Sequence, residues 1–316
     1  MSRTPRASEE LNRMTYSRIS HWYLVATLAT TITASAAQTP SPAVADTRPA
    51  SSAATAVPGQ VPPLNGIAHI AIRVKDIAAS VAFYNKLGFE QAFAMNKGDV
   101  ITQSFIKIND RQFIELYPVT DRDPQVGFLH LCFEGADLNA IHDSYIAEGL
   151  TPISVRKAGA GNLLFTMKGP EQFSTPQNIE YTEYMPGSLH SNDFGKHLGP
   201  DRIADMMVVV LLAMQDPPSA RDFYQNKLNF VAVAGGSRLA WPFGLPGTSG
   251  EAVEIVPVET LGPRSSIILS SPDIHHTGEL LQSKGVPFED GDFISVTDPD
   301  GNTIRIMPRK ATGVSR

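Results

Sequence analysis

From Gly66 onward the chain repeats one pattern four times, and any fold it adopts has to accommodate that repetition. Each copy opens with a short apolar strand, passes an aspartate placed to cap a helix, and ends in further strands. The caps are Asp76, Asp137, Asp216 and Asp273. A helix of about three turns follows each and stops at Gly88, Gly149, Asn229 or Gly285, residues that tolerate the left-handed conformation common at helix ends. Copies one and three are the most alike: DIAASVAFYNKLGF matches DPPSARDFYQNKLNF, with Phe83 and Tyr84 answering Phe223 and Tyr224. Copies two and four, DLNAIHDSYIAEGL and DIHHTGELLQSKGV, form the other pair. The organisation is a duplication of a duplication.

Strand periodicity then singles out four side chains. In HIAIRVKD, alternation sends Ile70, Ile72 and Val74 to one face and His69, Ala71 and Arg73 to the other. FIELY puts Ile114 and Leu116 inside and Glu115 opposite. LHLCFE puts Leu129, Leu131 and Phe133 inside and His130 opposite. In NIEYTEY the pattern is looser, but Ile179 and Glu180 still diverge, and Glu183 faces away from Glu180. A lone strand histidine usually reads as a satisfied or surface imidazole. Here His69 and His130 hold equivalent positions in successive copies, each joined by a glutamate, and the set reads as a divalent-metal site. Two imidazoles and two carboxylates suit Zn²⁺, Ni²⁺, Co²⁺, Mn²⁺ or Fe²⁺.

Other side chains are weaker candidates. Cys132, the one cysteine, forms no intrachain disulfide; two residues from His130, it shares that face and either touches metal or substrate or is a small buried hydrophobe. Arg73 and Tyr117 point into the same cavity and suit an anionic or aromatic group. His142, His275 and His276 fall on helices and are expected to face solvent. His190 and His197 lie in a Gly/Pro-marked connector and read as surface residues, with a lid over the site as the other reading.

The 316 residues suffice for two ordinary domains, and a net charge of -6 without any lysine or arginine run argues against nucleic-acid and anionic-membrane partners. A small-molecule substrate is the expected partner. Arg3, Arg6, Arg13 and Arg18 precede the apolar stretch WYLVATLATTITASAA, so residues 1–37 read as a secretory signal cleaved near Ala36 or Ala37. An uncleaved membrane anchor is the alternative. Residues 38–64 are a Pro/Ala/Ser/Thr tract expected to be a disordered spacer. The expected product is secreted or periplasmic, with no integral span in the mature chain.

The segments HIAIRVKDIAASVAFYNKLGF, FIELYPV, FLHLCFEGADL, PQNIEYTEY, VEIVPV and VTDPDGNTIRIMP make residues 65–309 resemble the vicinal oxygen chelate superfamily. That superfamily includes glyoxalase I, bleomycin-resistance proteins and extradiol dioxygenases. The resemblance implies an α+β fold of four βαβββ modules paired into two domains, 65–187 and 204–309, with a connector at 188–203 and a tail at 310–316. It implies one divalent metal ion per chain, held by His69, Glu115, His130 and Glu180. It also makes the second domain degenerate: Val209, Ser266 and Arg305 stand where His69, His130 and Glu180 would be, and only Glu254 persists. Likeness to glyoxalase I gives Glu180 the role of catalytic base in metal-stabilised enediolate chemistry, hence a lyase or isomerase acting on a small oxygenated substrate. The alternatives are an extradiol ring-cleaving dioxygenase and a non-enzymatic ligand binder of the bleomycin-resistance kind. Export makes glutathione and coenzyme A less available as co-substrates. Some relatives build one site from two subunits, so a homodimer belongs among the expected assemblies.

Overall fold

A computed structural model of the protein describes residues 61–173, 175–234, 240–248 and 250–309. Residues 1–37, read from the sequence as a signal, most of the segment read as a spacer and the tail lie outside the described residues. Leu64, read as the last spacer residue, instead opens the first strand: its side chain is buried and its amide donates to the Pro246 carbonyl at 2.8 Å. Among the described residues no helix is long and apolar enough to cross a membrane.

The first module comprises β1 (Leu64–Val74), α1 (Ile77–Lys86), β2 (Gln91–Lys97), β3 (Val100–Lys107) and β4 (Phe113–Pro118). The second comprises β5 (Gly127–Gly135), α2 (Leu138–Ala147), β6 (Arg156–Lys157), β7 (Leu163–Gln172) and β8 (Thr175–Glu183). A short helix, α3 (Leu189–Asn192), lies in the connector. The third module is β9 (Met206–Met214), α4 (Pro217–Asn226), β10 (Val231–Ala232), β11 (Trp241–Gly244) and β12 (Ala252–Pro257), followed by the short helix α5 (Val258–Leu261). The fourth is β13 (Ser266–Ser271), α6 (Ile274–Ser283), β14 (Glu289–Asp290), β15 (Ile294–Thr297) and β16 (Thr303–Pro308).

Two eight-stranded sheets result, ordered β2-β3-β4-β1-β5-β8-β7-β6 and β10-β11-β12-β9-β13-β16-β15-β14. In each, the opening strands of two modules pair antiparallel at the centre, and each is flanked in parallel by the last strand of its own module. This is the paired βαβββ, α+β arrangement.

Local chemistry explains the helices. Asp76, Asp137, Asp216 and Asp273 each accept a hydrogen bond from the amide three residues on, filling a donor the first helical turn leaves open. Gly88, Gly149, Asn229 and Gly285 all have positive φ after the helix end. At Gly88 space is limiting too: a Cβ would stand 2.2 Å from the Asp201 carbonyl oxygen.

The helix-packed faces of both sheets meet in one continuous core that includes Ile70, Ile114, Leu131 and Phe133 from the first sheet and Val210, Ile255 and Leu269 from the second. Burying each such side chain contributes about 1.5–3 kcal/mol. Two expectations need correction. Leu129 is not in the core, because Ala71 pairs with His130 while Ile72 pairs with Phe128, a register shift that skips Leu129 and leaves it half-buried. His142 does not face solvent: its ring packs edge-on against Phe165 at 5.3 Å, and its side chain is only 14% exposed.

Candidate metal centre

The centre of the first sheet sets the site. Across β1 and β4, Ala71 stands beside Glu115; across β1 and β5, Ala71 stands opposite His130 and His69 opposite Cys132. Across β5 and β8, Cys132 stands beside Glu180. The order β4-β1-β5-β8 therefore delivers Glu115, His69, His130, Cys132 and Glu180 to one face, opposite the helices. Glu183 leaves that face and accepts from the Leu138 amide at the start of α2, at 3.0 Å.

The donors converge as two triads sharing His69. In each of His69–Glu115–His130 and His69–Cys132–Glu180, one ligand atom per residue lies within 4.8 Å of the others. His69 Nε2 is 3.1 Å from His130 Nε2 and 3.5 Å from Glu180 Oε1, and His69 Nδ1 is 3.3 Å from Glu115 Oε1. Two donors each about 2.1 Å from a common ion stand roughly 3.0–3.6 Å apart at the angles of octahedral and tetrahedral coordination, and the Nε2–Nε2 and Nε2–Oε1 separations fall in that range. Charge agrees with spacing. Burial, then the nearby His130 and His190, hold His69 neutral; burial and the positive charge of Arg73 do the same for His130, leaving imidazole lone pairs free. Burial also raises Glu115, assisted by the Glu180 charge, and lifts Glu180 to about 7. Two carboxylates beside neutral imidazoles in a buried pocket make a donor set whose charge a divalent cation complements. The residues fit the ion.

Around the donors, Tyr117 donates its hydroxyl to Glu115 Oε2 at 3.1 Å and is itself hydrogen-bonded by Gln103. Arg73, partly exposed, lies 3.5 Å from Asp123. The adjacent Cys132 and the Arg156 charge favour the ionised form of Glu180, against the effect of burial. Gln103 and Arg156 escaped the sequence reading; Arg156 sits on the two-residue strand β6, which has no periodicity to read.

The connector supplies a further wall. His190 on α3 is buried, not a surface residue: its ring stacks on Tyr184 at 4.7 Å and meets Phe93, Phe105 and Phe113 edge-on at 4.9, 5.4 and 4.9 Å. The segment is pinned by Lys107 of β3, fully buried, whose Nζ donates to Asp193 Oδ2 at 2.7 Å and lies 2.8 Å from Asp110. His197, 39% exposed, reaches Asp193 Oδ1 at 2.5 Å.

The second sheet repeats the register without the donors. Glu254 stands beside Leu211, as Glu115 stands beside Ala71, and Ser266 stands opposite Leu211, as His130 stands opposite Ala71. Arg305 stands beside Ile268, as Glu180 does beside Cys132. Leu211, Ile268, Ala213 and Val256 form a small apolar cluster there.

Residues 66–180 match the family model described as Glyoxalase/Bleomycin resistance protein/Dioxygenase superfamily. No curated protein sequence matches the chain. Among solved structures the chain is similar to the Mn(II)-bound glyoxalase from Novosphingobium aromaticivorans, at 15% identity over 78% of this chain and 82% of that one, with a TM-score of 0.60. It is similar to the 2,3-dioxygenase LapB from Pseudomonas sp. KL28, at 13% identity over 79% and 94%, TM-score 0.58. A third, homoprotocatechuate 2,3-dioxygenase from Arthrobacter globiformis, shares 17% identity over 81% and 82%, TM-score 0.56. At such identities the likeness is one of fold. Residues 66–180, which carry all five donors, are thus the part of the chain that matches the glyoxalase, bleomycin-resistance and dioxygenase superfamily model, within two sheets of paired βαβββ order.

Proposed function

We propose that the protein is a glyoxalase-like, metal-dependent isomerase or lyase acting on a small oxygenated substrate, with His69, Glu115, His130 and Glu180 as donors to one divalent ion. The observation that carries this reading is Glu115: it is buried and joins both histidines in one ligand-sized cluster, while Glu180 approaches His69 separately. A bound divalent ion polarises a substrate carbonyl and eases loss of a proton from the adjacent carbon. Glu180 is the residue assigned to take that proton on its carboxylate and return it to the neighbouring carbon. Tyr117 holds the Glu115 carboxylate in place through its hydroxyl. Arg73 is the side chain assigned to meet an anionic substrate group.

The test begins with metal analysis of the purified protein. Turnover is then measured on a methylglyoxal-derived hemithioacetal, on 2-hydroxy carbonyl compounds, and on a catechol with Fe²⁺ under oxygen. Isomerisation is expected, and Glu180→Gln should lower turnover by roughly 10²-fold or more, with a smaller loss of metal. Full activity in that variant overturns the assignment of the base. Ring cleavage of the catechol would favour the dioxygenase reading, supported by His69, His130 and Glu180 as a set of two histidines and one carboxylate. A chain that binds ligand yet holds no metal would be a binder instead.

A further inference from the structure

The first sheet carries one donor that the proposed reaction does not use as a ligand. We propose that the protein also holds thiophilic ions, through a second donor set of His69, Cys132 and Glu180 that shares His69 and Glu180 with the first. The inference rests on the reading of this face as a metal centre and deepens it.

Register is the first support. Cys132 is the middle residue of three adjacent strands at this level, opposite His69 on β1 and beside Glu180 on β8. No rotation of the sheet is needed to bring the three together: their Nε2 or Nδ1, Sγ and carboxylate oxygen already lie within 4.8 Å of one another. Burial is the second support. Cys132 is fully buried and His69 is 3% exposed, with its Nε2 3.5 Å from Glu180 Oε1. The third is the chemistry of sulfur. A set of imidazole, thiolate and carboxylate prefers Zn²⁺, Cd²⁺ or Cu⁺, whereas imidazoles with two carboxylates also suit Mn²⁺ and Fe²⁺.

Without an ion the Cys132 thiol donates to the Phe133 carbonyl oxygen at 3.7 Å. On binding, the S–H bond breaks, the sulfur forms a bond to the ion, and one proton leaves to solvent; nothing is oxidised or reduced. Because both sets need His69, one ion excludes the other. A thiophilic ion would engage Glu180 together with Cys132 and so occupy the proposed base.

Cd²⁺ and Co²⁺ titrations of the full-length protein, followed by ultraviolet absorption, test this directly. The wild type should develop a sulfur-to-metal charge-transfer band that saturates at one ion per chain. Cys132→Ser and Cys132→Ala should lack the band and lose about tenfold or more in Cd²⁺ affinity, a larger loss than in Mn²⁺ affinity. A wild type that binds one Cd²⁺ without the band overturns the proposal, and this outcome does not depend on either variant folding. Mn²⁺ binding without the band sinks this inference alone. Failure to bind Mn²⁺ and the other divalent ions sinks the proposed function.

Discussion

Ser266 holds in the second sheet the place that His130 holds in the first, each opposite the residue that stands beside the glutamate of its own half. The exchange leaves Glu254 with Arg305, whose charge counters the effect of burial on that carboxylate. The second half keeps the geometry of a donor site and lacks its imidazoles.

Metal stoichiometry should therefore be one per chain. Val209→Ala and Ser266→Ala should leave metal content unchanged, and His130→Ala should lower affinity by about tenfold or more. Elemental analysis of the dialysed proteins checks this, and two ions per chain would refute the assignment.

His190 predicts a pH dependence of stability. Its surroundings, burial foremost, lower its pKa to about 3, whereas an unfolded histidine titrates near about 6.5. Between those values the unfolded chain binds the extra proton, so this contribution to stability is complete above about pH 6.5 and is lost as pH falls towards 3. His190→Phe should reduce the slope of unfolding free energy against pH by about 1.4 kcal/mol per pH unit across that window. Urea titrations between about pH 6 and 4 measure it, and an unchanged slope would exclude His190 as the source.

Lys107→Met keeps the length of the side chain and strands Asp193 and Asp110 around a buried apolar group. The loss should be about 3–5 kcal/mol, since removing one member of a buried ion pair leaves its partner uncompensated. A loss below about 1 kcal/mol in denaturant unfolding would show that the pair behaves as an exposed one.

Gly88 and Gly149 end equivalent helices with similar positive φ, 84° and 78°, but only Gly88 has a backbone oxygen where a Cβ would go. Gly149→Ala should cost about 1–2 kcal/mol from conformation alone. Gly88→Ala should cost more, and equal shifts in melting temperature would count against the close approach of Asp201.

Much of this was legible because it is local. A helix cap needs an aspartate and an amide three residues away, and strand alternation needs only neighbours, so the four helices and the faces of His69, Glu115, His130 and Glu180 followed from short segments. What was not legible depends on partners distant in sequence. The place of Leu129 is set by how β1 and β5 slip past one another, which neither strand encodes alone. A strand lysine such as Lys107 reads as solvated until Asp193, 86 residues later, is folded onto it. Cys132 reads equally as a small buried hydrophobe or a pocket residue until parallel pairing sets Glu180 beside it. His190 lies in a segment with no periodicity at all.

That segment has a consequence for how the chain can be divided. The repeat boundary drawn at residue 187 suggests a cassette that could be excised or exchanged between proteins. A fragment ending there would bare Phe93, Phe105 and Phe113 and abandon Lys107 without Asp193. One ending at His197 would carry its own stopper. The connector is thus bound to the half that precedes it, while the core shared by both sheets binds the two halves to each other.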